Sequence, residues 1–147
     1  MNLYAESSAV LSWLLGEPAG ESVLGLLERA DIVVTSELTL VECDRALIRA
    51  RSMGALSEAE RMDRRAALNN AAAGWHILTL ATEILDRARE PFPGKLLRTL
   101  DALHIASLLA ARAGVPGLAL LTFHHGLGAV ARQLGFACVP GALPIGG

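Results

Sequence analysis

The chain has 147 residues, of which 52% are apolar and 19% are charged, and its formal net charge is −2. This length predicts one domain with a substantial core, and the slight negative charge argues against indiscriminate binding to nucleic acid. The apolar runs fall short of the roughly 18–20 residues that span a bilayer, and we find no signal peptide. We therefore expect a cytoplasmic protein whose excess apolar surface meets a partner or a second copy of itself.

Short apolar runs alternate with longer segments of helical pattern. Strands are predicted at residues 3–5, 32–34, 75–78, 118–121 and 136–138. Helices are predicted at residues 7–15, 20–30, 36–53, 57–73, 81–89, 99–110 and 126–134. Strands that alternate with helices and lack polar alternation predict an α/β fold, a small parallel sheet of four to five strands with helices on both faces. We expect a single domain over residues 1–140 and a flexible tail over residues 141–147.

Serine residues mark the starts of three predicted helices. Ser7 and Ser8 stand at the first start and Ser36 at another, where a hydroxyl can accept a hydrogen bond from a free backbone N–H group. Ser57 and Glu60 have the spacing of a capping box. These residues predict where the three helices begin.

Asp101 lies in an otherwise apolar helix, which is the kind of helix that packs on all sides inside a protein. Burying an unpaired carboxylate costs several kcal/mol, so the charge needs a bound cation or an ion pair. Asp101, His104 and Ser107 form a polar strip at i, i+3 and i+6, which suggests that the helix lines a site. The alternative is that Thr99 caps the helix and that Asp101 is favoured by about 0.3–1 kcal/mol in its first turn.

Four polar residues fall at one edge of the predicted sheet. Glu6 follows the first strand, Glu42 lies about two turns into the helix after the second strand, Asp101 opens its helix, and His124 follows the fourth strand. Sites in open α/β sheets form at the carboxyl ends of the strands. Carboxylates gathered there repel one another, which favours a bound divalent cation such as Mg²⁺ or Mn²⁺. Two such ions can promote phosphodiester hydrolysis.

Each of these positions also has an ordinary structural explanation. Glu42 shares a helix face with Arg45 and Arg49, and such a surface pair is worth only about 0.2–0.5 kcal/mol. Glu6 is compatible with a simple loop, and His124 with a helix start that faces solvent. The case for a site therefore depends on all four residues lying at the same edge.

Positive charge is concentrated in one stretch and toward the end of the chain. Acidic residues are interleaved with part of the arginine stretch, which favours a solvated helical face with ion pairs, although arginine is also suited to phosphate contacts. No Asp or Glu follows Asp101, so the last third makes one side of the molecule positive. The arginines of the stretch are Arg45, Arg49, Arg51, Arg61, Arg64 and Arg65.

The chain has two cysteines, Cys43 and Cys138, and their separation matches no metal-site spacing. Isolated cysteines of this kind are expected to be small buried apolar side chains in a reducing compartment. We therefore expect no disulfide bond.

Four segments resemble the signature blocks of the PIN domain and, more narrowly, those of the VapC toxins of bacterial and archaeal toxin–antitoxin pairs. They are residues 4–10, residues 36–42 with residues 45–47, residues 99–104, and residues 121–124 followed by residues 134–136. The match runs in the same order over about residues 3–139. The resemblance implies a PIN-like fold and a Mg²⁺- or Mn²⁺-dependent endoribonuclease that cleaves tRNA, rRNA or mRNA. It also implies a homodimer inhibited by a small DNA-binding antitoxin.

The family pattern places acids at the positions that match Glu6, Glu42, Asp101 and His124. Two of these depart from it, because the first and the last are normally Asp. Glu6 is one methylene longer, and His124 offers a neutral nitrogen, which predicts weaker binding of Mg²⁺ and better tolerance of Mn²⁺. Ser8 and Thr122 match the pattern and would orient ligands or the substrate phosphate.

The leading hypothesis is metal-dependent hydrolysis of RNA phosphodiester bonds, in which each of these residues has a role. Asp101 and Glu6 would ligate the ion, and Glu42 would hold a second ion or position the water. His124 would be an auxiliary ligand or a proton donor, and Arg45 or Arg49 would meet the substrate phosphate. The alternative is a catalytically decayed PIN-domain module that binds a protein partner or RNA without cleaving it.

Overall fold

The structure is a computed structural model that describes residues 1–141. Apart from Gly141, the predicted tail lies outside the described residues. The strands are β1 (Asn2–Ala5), β2 (Ile32–Ser36), β3 (His76–Leu78), β4 (Leu118–Leu121) and β5 (Cys138–Val139). The helices are α1 (Ser7–Leu14), α2 (Gly20–Arg29), α3 (Glu37–Ser52), α4 (Glu58–Ala72), α5 (Thr82–Ala88), α6 (Thr99–Arg112) and α7 (His125–Gln133).

The five strands form one parallel sheet in the order β3-β2-β1-β4-β5. The predicted fold class, a parallel α/β sheet, is confirmed. β1 lies in the middle, between β2 and β4. The chain adds β2 and β3 on one side of β1 and then adds β4 and β5 on the other side. This point between β1 and β4 is where ligand sites form in open parallel sheets.

Helices cover both faces of the sheet. In β4, Ala119 and Leu121 belong to one apolar cluster, which also contains residues from α1 to α4. Leu118 and Leu120 belong to a second cluster on the opposite face, with residues from α6 and α7. All four β4 side chains are therefore buried, which explains why this strand shows no polar alternation.

Two of the three predicted serine caps are present. The Ser36 side chain accepts a hydrogen bond from the backbone N–H of Leu38, and the capping box of Ser57 and Glu60 is formed. The prediction for α1 is wrong, because Glu6 occupies the N-cap position. The Ser7 and Ser8 hydroxyls are directed at the Glu6 carboxylate instead.

Two smaller predictions also differ from the structure. The N-cap of α6 is Arg98, so Thr99 is the first helical residue and does not cap the helix as the alternative for Asp101 supposed. The last strand covers Cys138 and Val139, whereas Phe136 precedes it and is buried in the second cluster. Phe136 contributes to the core without pairing in the sheet.

Ion pairs account for part of the arginine stretch. Arg51 and Arg61 both reach Glu58, at 2.8 and 2.5 Å, and Arg65 lies 3.5 Å from Asp44. These contacts match the interpretation of a solvated helical face. Both cysteines are free thiols in the described part of the chain; Cys43 is buried as predicted, whereas Cys138 is only partly buried.

The described helices include none with the length and apolar character needed to cross a membrane. Several large apolar side chains are exposed on or next to α3 and α4. They are Val41, Ile48, Met53 and Met62. The predicted partner or self-association interface stays a prediction.

Candidate active site

Three of the four predicted site residues line one groove at the carboxyl edge of the sheet. α3 follows β2 and carries Glu42, α6 begins at this edge and carries Asp101, and His124 lies between β4 and α7. The groove has a volume of about 600 Å³. Its other lining residues are Leu97, Arg98, Thr99 and Leu100.

Glu6 has a different environment, although it follows the central strand at the same edge. It is only 4% exposed, and it is not among the residues that line the groove. Its carboxylate accepts hydrogen bonds from the hydroxyls of Ser7 (2.9 Å), Thr122 (2.7 Å) and Ser8. Three hydroxyl donors compensate for burial of this charge.

The hydroxyls of Ser8 and Thr122 also accept hydrogen bonds from the backbone that follows β4. Ser8 accepts a hydrogen bond from the backbone N–H of Phe123 at 2.9 Å, and Thr122 accepts one from His124 at 3.0 Å. The start of α1 is thereby tied to the segment between β4 and α7. In this arrangement Ser8 and Thr122 orient a protein carboxylate, and their predicted role toward a substrate phosphate stays a prediction.

Replacing Thr122 by Val is expected to lower the free energy of unfolding by about 1.5–3 kcal/mol, the range for a lost hydrogen bond to a charged group. Valine keeps the branched shape but removes the donor to Glu6. Urea unfolding of the variant would measure the loss. The exposed Thr79→Val is the matched control and should change stability by less than about 0.5 kcal/mol. Equal stability of both variants would contradict the structural role of the hydroxyl.

Glu42 is held by a buried histidine. The Nε2 atom of His104 lies 2.5 Å from Oε1 of Glu42, and Nδ1 of His104 lies 3.0 Å from the Tyr4 hydroxyl.

Burial raises the pKa of the Tyr4 phenol, and the Glu6 and Glu42 carboxylates raise it further. The phenol therefore stays neutral at physiological pH, as a hydrogen-bond donor. Burial also raises the pKa of the Cys43 thiol, so this neighbour of Glu42 stays protonated.

Asp101 and His124 face each other across the groove. Nε2 of His124 lies 3.5 Å from Oδ2 of Asp101. The Nδ1 atom of His124 accepts a hydrogen bond from the backbone N–H of Leu127, so it caps α7. In the neutral ring the proton is therefore on Nε2, the nitrogen nearer to Asp101. Because the Nδ1 lone pair is used by the Leu127 N–H group, the neutral His124 ring offers a hydrogen-bond donor at Nε2 and no free lone pair for a cation.

The carboxylates of the groove are suitable for a hard divalent cation. Among residues 1–141, no three acidic, histidine or cysteine side chains lie close enough together to hold a metal ion on their own. Mg²⁺ in nucleotide-handling sites is often held by one or two carboxylates, with water and substrate phosphate completing its shell. Glu42 and Asp101 are the two carboxylates that line the groove, whereas Glu6 is buried and already bonded to hydroxyls.

Two residues of this region contribute to the site although they are not among the four predicted site residues. Arg98 lines the groove, whereas the predicted phosphate ligands Arg45 and Arg49 are exposed on α3 and are not among its lining residues. Arg98 lies three residues before Asp101 in the sequence, and this position could have indicated that it lines the same site. The sequence places His104 in a polar strip with Asp101, but its contact with Glu42 joins residues 62 positions apart.

Comparisons with known proteins agree with this architecture. A family model described as the PIN domain matches residues 3–133. No curated protein matches the sequence. One similar solved structure is VapC20 of Mycobacterium tuberculosis, a toxin that cleaves the sarcin–ricin loop, with a TM-score of 0.66 and 15% identity over 92% of this chain and 96% of that chain.

Two further structures come from toxin–antitoxin pairs. VapBC2 of Rickettsia felis, solved with a DNA fragment from its promoter, has a TM-score of 0.64 and 10% identity over 94% of this chain and 97% of that chain. A toxin–antitoxin complex of Klebsiella pneumoniae has a TM-score of 0.59 and 16% identity over 88% and 91%. Identities this low establish a likeness of fold.

Proposed function

Because this chain belongs to the PIN domain family, we propose that it is a divalent-metal-dependent endoribonuclease and the toxin of a toxin–antitoxin pair. The observation that carries the proposal is the groove in which Glu42 and Asp101 lie together with Arg98 and His124. Two carboxylates can hold a cation, and an arginine beside them can bind a phosphate. That combination suits a phosphodiester substrate.

Each polar residue of the groove would have a separate role in hydrolysis. Glu42 and Asp101 would hold Mg²⁺ or Mn²⁺, which supplies Lewis-acid stabilisation of phosphoryl charge and lowers the pKa of water. Arg98 would bind a non-bridging phosphate oxygen. His124, with its proton on Nε2, would donate a hydrogen bond or a proton at the reacting phosphate. Glu6 would act indirectly, because it would fix the segment that carries His124.

Two kinds of partner follow from the proposal. The substrate would be a structured RNA, since VapC20 is described as a toxin that cleaves the sarcin–ricin loop. The protein partner would be a small DNA-binding antitoxin, since two similar structures are toxin–antitoxin pairs, one of them bound to promoter DNA. The homodimer implied by the resemblance is part of the same proposal.

Removing the metal tests the enzymatic part of the proposal. RNA cleavage by the purified protein should stop in excess EDTA and return when Mn²⁺ is added, because the phosphoryl charge is then stabilised again. A labelled tRNA and a fragment of rRNA would be the substrates, and gel analysis would give the rates. Cleavage that continues in EDTA would come from a metal-independent ribonuclease and would count against the proposal.

One observation favours the catalytically decayed module as a second candidate. Glu6 and His124 both depart from the family pattern, and Glu6 is hydrogen-bonded to three hydroxyls instead of facing the groove. A module of this kind would bind its antitoxin or RNA equally well with and without EDTA, and it would bind equally well with Asp101→Asn. Metal-independent binding together with an absence of cleavage would favour this candidate.

A further inference from the structure

We propose that His104 is a positioning residue that holds the Glu42 carboxylate at the groove, and that Tyr4 fixes the His104 ring from the other side. This inference rests on the proposed function, because it treats Glu42 as a metal-holding carboxylate. His104 lies one helical turn beyond Asp101 on α6 and is 1% exposed. Its two ring nitrogens contact Glu42 and Tyr4, at 2.5 and 3.0 Å.

The chemistry of the three groups fixes the direction of both hydrogen bonds. A carboxylate only accepts, so Nε2 of His104 carries a proton and donates it to Glu42. In the neutral ring Nδ1 is then an acceptor, and the Tyr4 hydroxyl donates to it. The rings of Tyr4 and His104 meet edge to face, with an interplanar angle of 84°. The ring of His104 is thereby held in one orientation and one tautomer.

This chain of contacts connects Glu42 to the buried centre of the sheet. Tyr4 belongs to the central strand β1 and is fully buried, whereas Glu42 on α3 is partly exposed. An unrestrained glutamate samples many rotamers, and a cation that binds it must pay for ordering them. Because His104 fixes the carboxylate beforehand, the site should bind its cation more tightly. Such supporting contacts typically change metal affinity by about 10–100-fold.

Two substitutions replace the imidazole ring by an amide, and only one of them keeps the hydrogen bond to Glu42. In His104→Gln the amide N–H lies near the position of Nε2 and can still donate to Glu42, whereas in His104→Asn the shorter side chain reaches only the position of Nδ1. We expect His104→Asn to weaken Mn²⁺ binding about tenfold or more. We expect His104→Gln to stay within about threefold of the unaltered protein. Electron paramagnetic resonance of free Mn²⁺ measures both affinities, and thermal unfolding checks that both variants are folded.

A measurement on the unaltered protein tests the proposal even if a variant fails to fold. The ¹⁵N shifts of the His104 ring should show a protonated Nε2 and an unprotonated Nδ1, whereas a proton on Nδ1 alone would overturn the proposal. Equal Mn²⁺ affinity of His104→Asn and the unaltered protein would also overturn it, as would equally weak binding by the Gln and Asn variants. The proposed function survives these results if Mn²⁺ binding still requires Asp101. If the unaltered protein binds no Mn²⁺ at all, both proposals fall.

Discussion

Replacing Asp101 by Asn is expected to lower Mn²⁺-dependent RNA cleavage by at least about 100-fold. The amide has nearly the shape of the carboxylate but carries no charge, so the groove loses one of the two carboxylates that can hold a cation. Loss of about 3 kcal/mol of transition-state stabilisation corresponds to that factor. Single-turnover cleavage of a labelled RNA would measure the rate, and Mn²⁺ titration would measure the accompanying loss of affinity.

The fold should survive this substitution. Asp101 lies in the first turn of α6, where an acid contributes only about 0.3–1 kcal/mol through the helix dipole. The matched control is Asp86→Asn, which removes the same charge from an exposed position on α5. The control should cleave RNA at the rate of the unaltered protein. If Asp101→Asn retains that rate as well, Asp101 has no part in the chemistry and the proposed site is wrong.

The fold could be predicted because its main determinants are local. Unbroken apolar runs such as residues 118–121 require burial on both faces, and here both faces of β4 are covered by helices. The predicted start of α1 is wrong for a physical reason. Ser7 and Ser8 have the right chemistry for helix caps, but they follow Glu6, which takes the N-cap position, and their hydroxyls donate to its buried carboxylate.

The candidate site was less predictable, because side-chain direction depends on contacts between distant segments. Parallel strands bring their carboxyl ends to one edge, so the positions of Glu6, Glu42 and Asp101 near that edge could be inferred from the chain order. Nothing local shows that Thr122, 116 residues away, donates a hydrogen bond to Glu6. The same holds for the contact between His104 and Glu42. Both contacts depend on the packing of whole elements.

Replacing His124 by Asp is expected to raise the affinity for Mg²⁺ about tenfold. The substitution places a third carboxylate on the groove, beside Asp101, and hard cations prefer carboxylate oxygen to imidazole nitrogen. Asp is also a good N-cap residue, so it can replace His124 Nδ1 as acceptor for the Leu127 N–H group and keep α7 capped. Calorimetric titration with Mg²⁺ measures the affinity.

The metal-free protein should respond in the opposite direction. Without a cation the new carboxylate repels Asp101, so His124→Asp should melt at a lower temperature than the unaltered protein in EDTA and gain more from added Mg²⁺. The matched control is His125→Asp, which adds the same charge in the first turn of α7 but lies outside the groove lining. It should leave Mg²⁺ affinity unchanged. Equal gains for both variants would mean that general surface charge attracts the ion, and no gain for either would place the metal away from this groove.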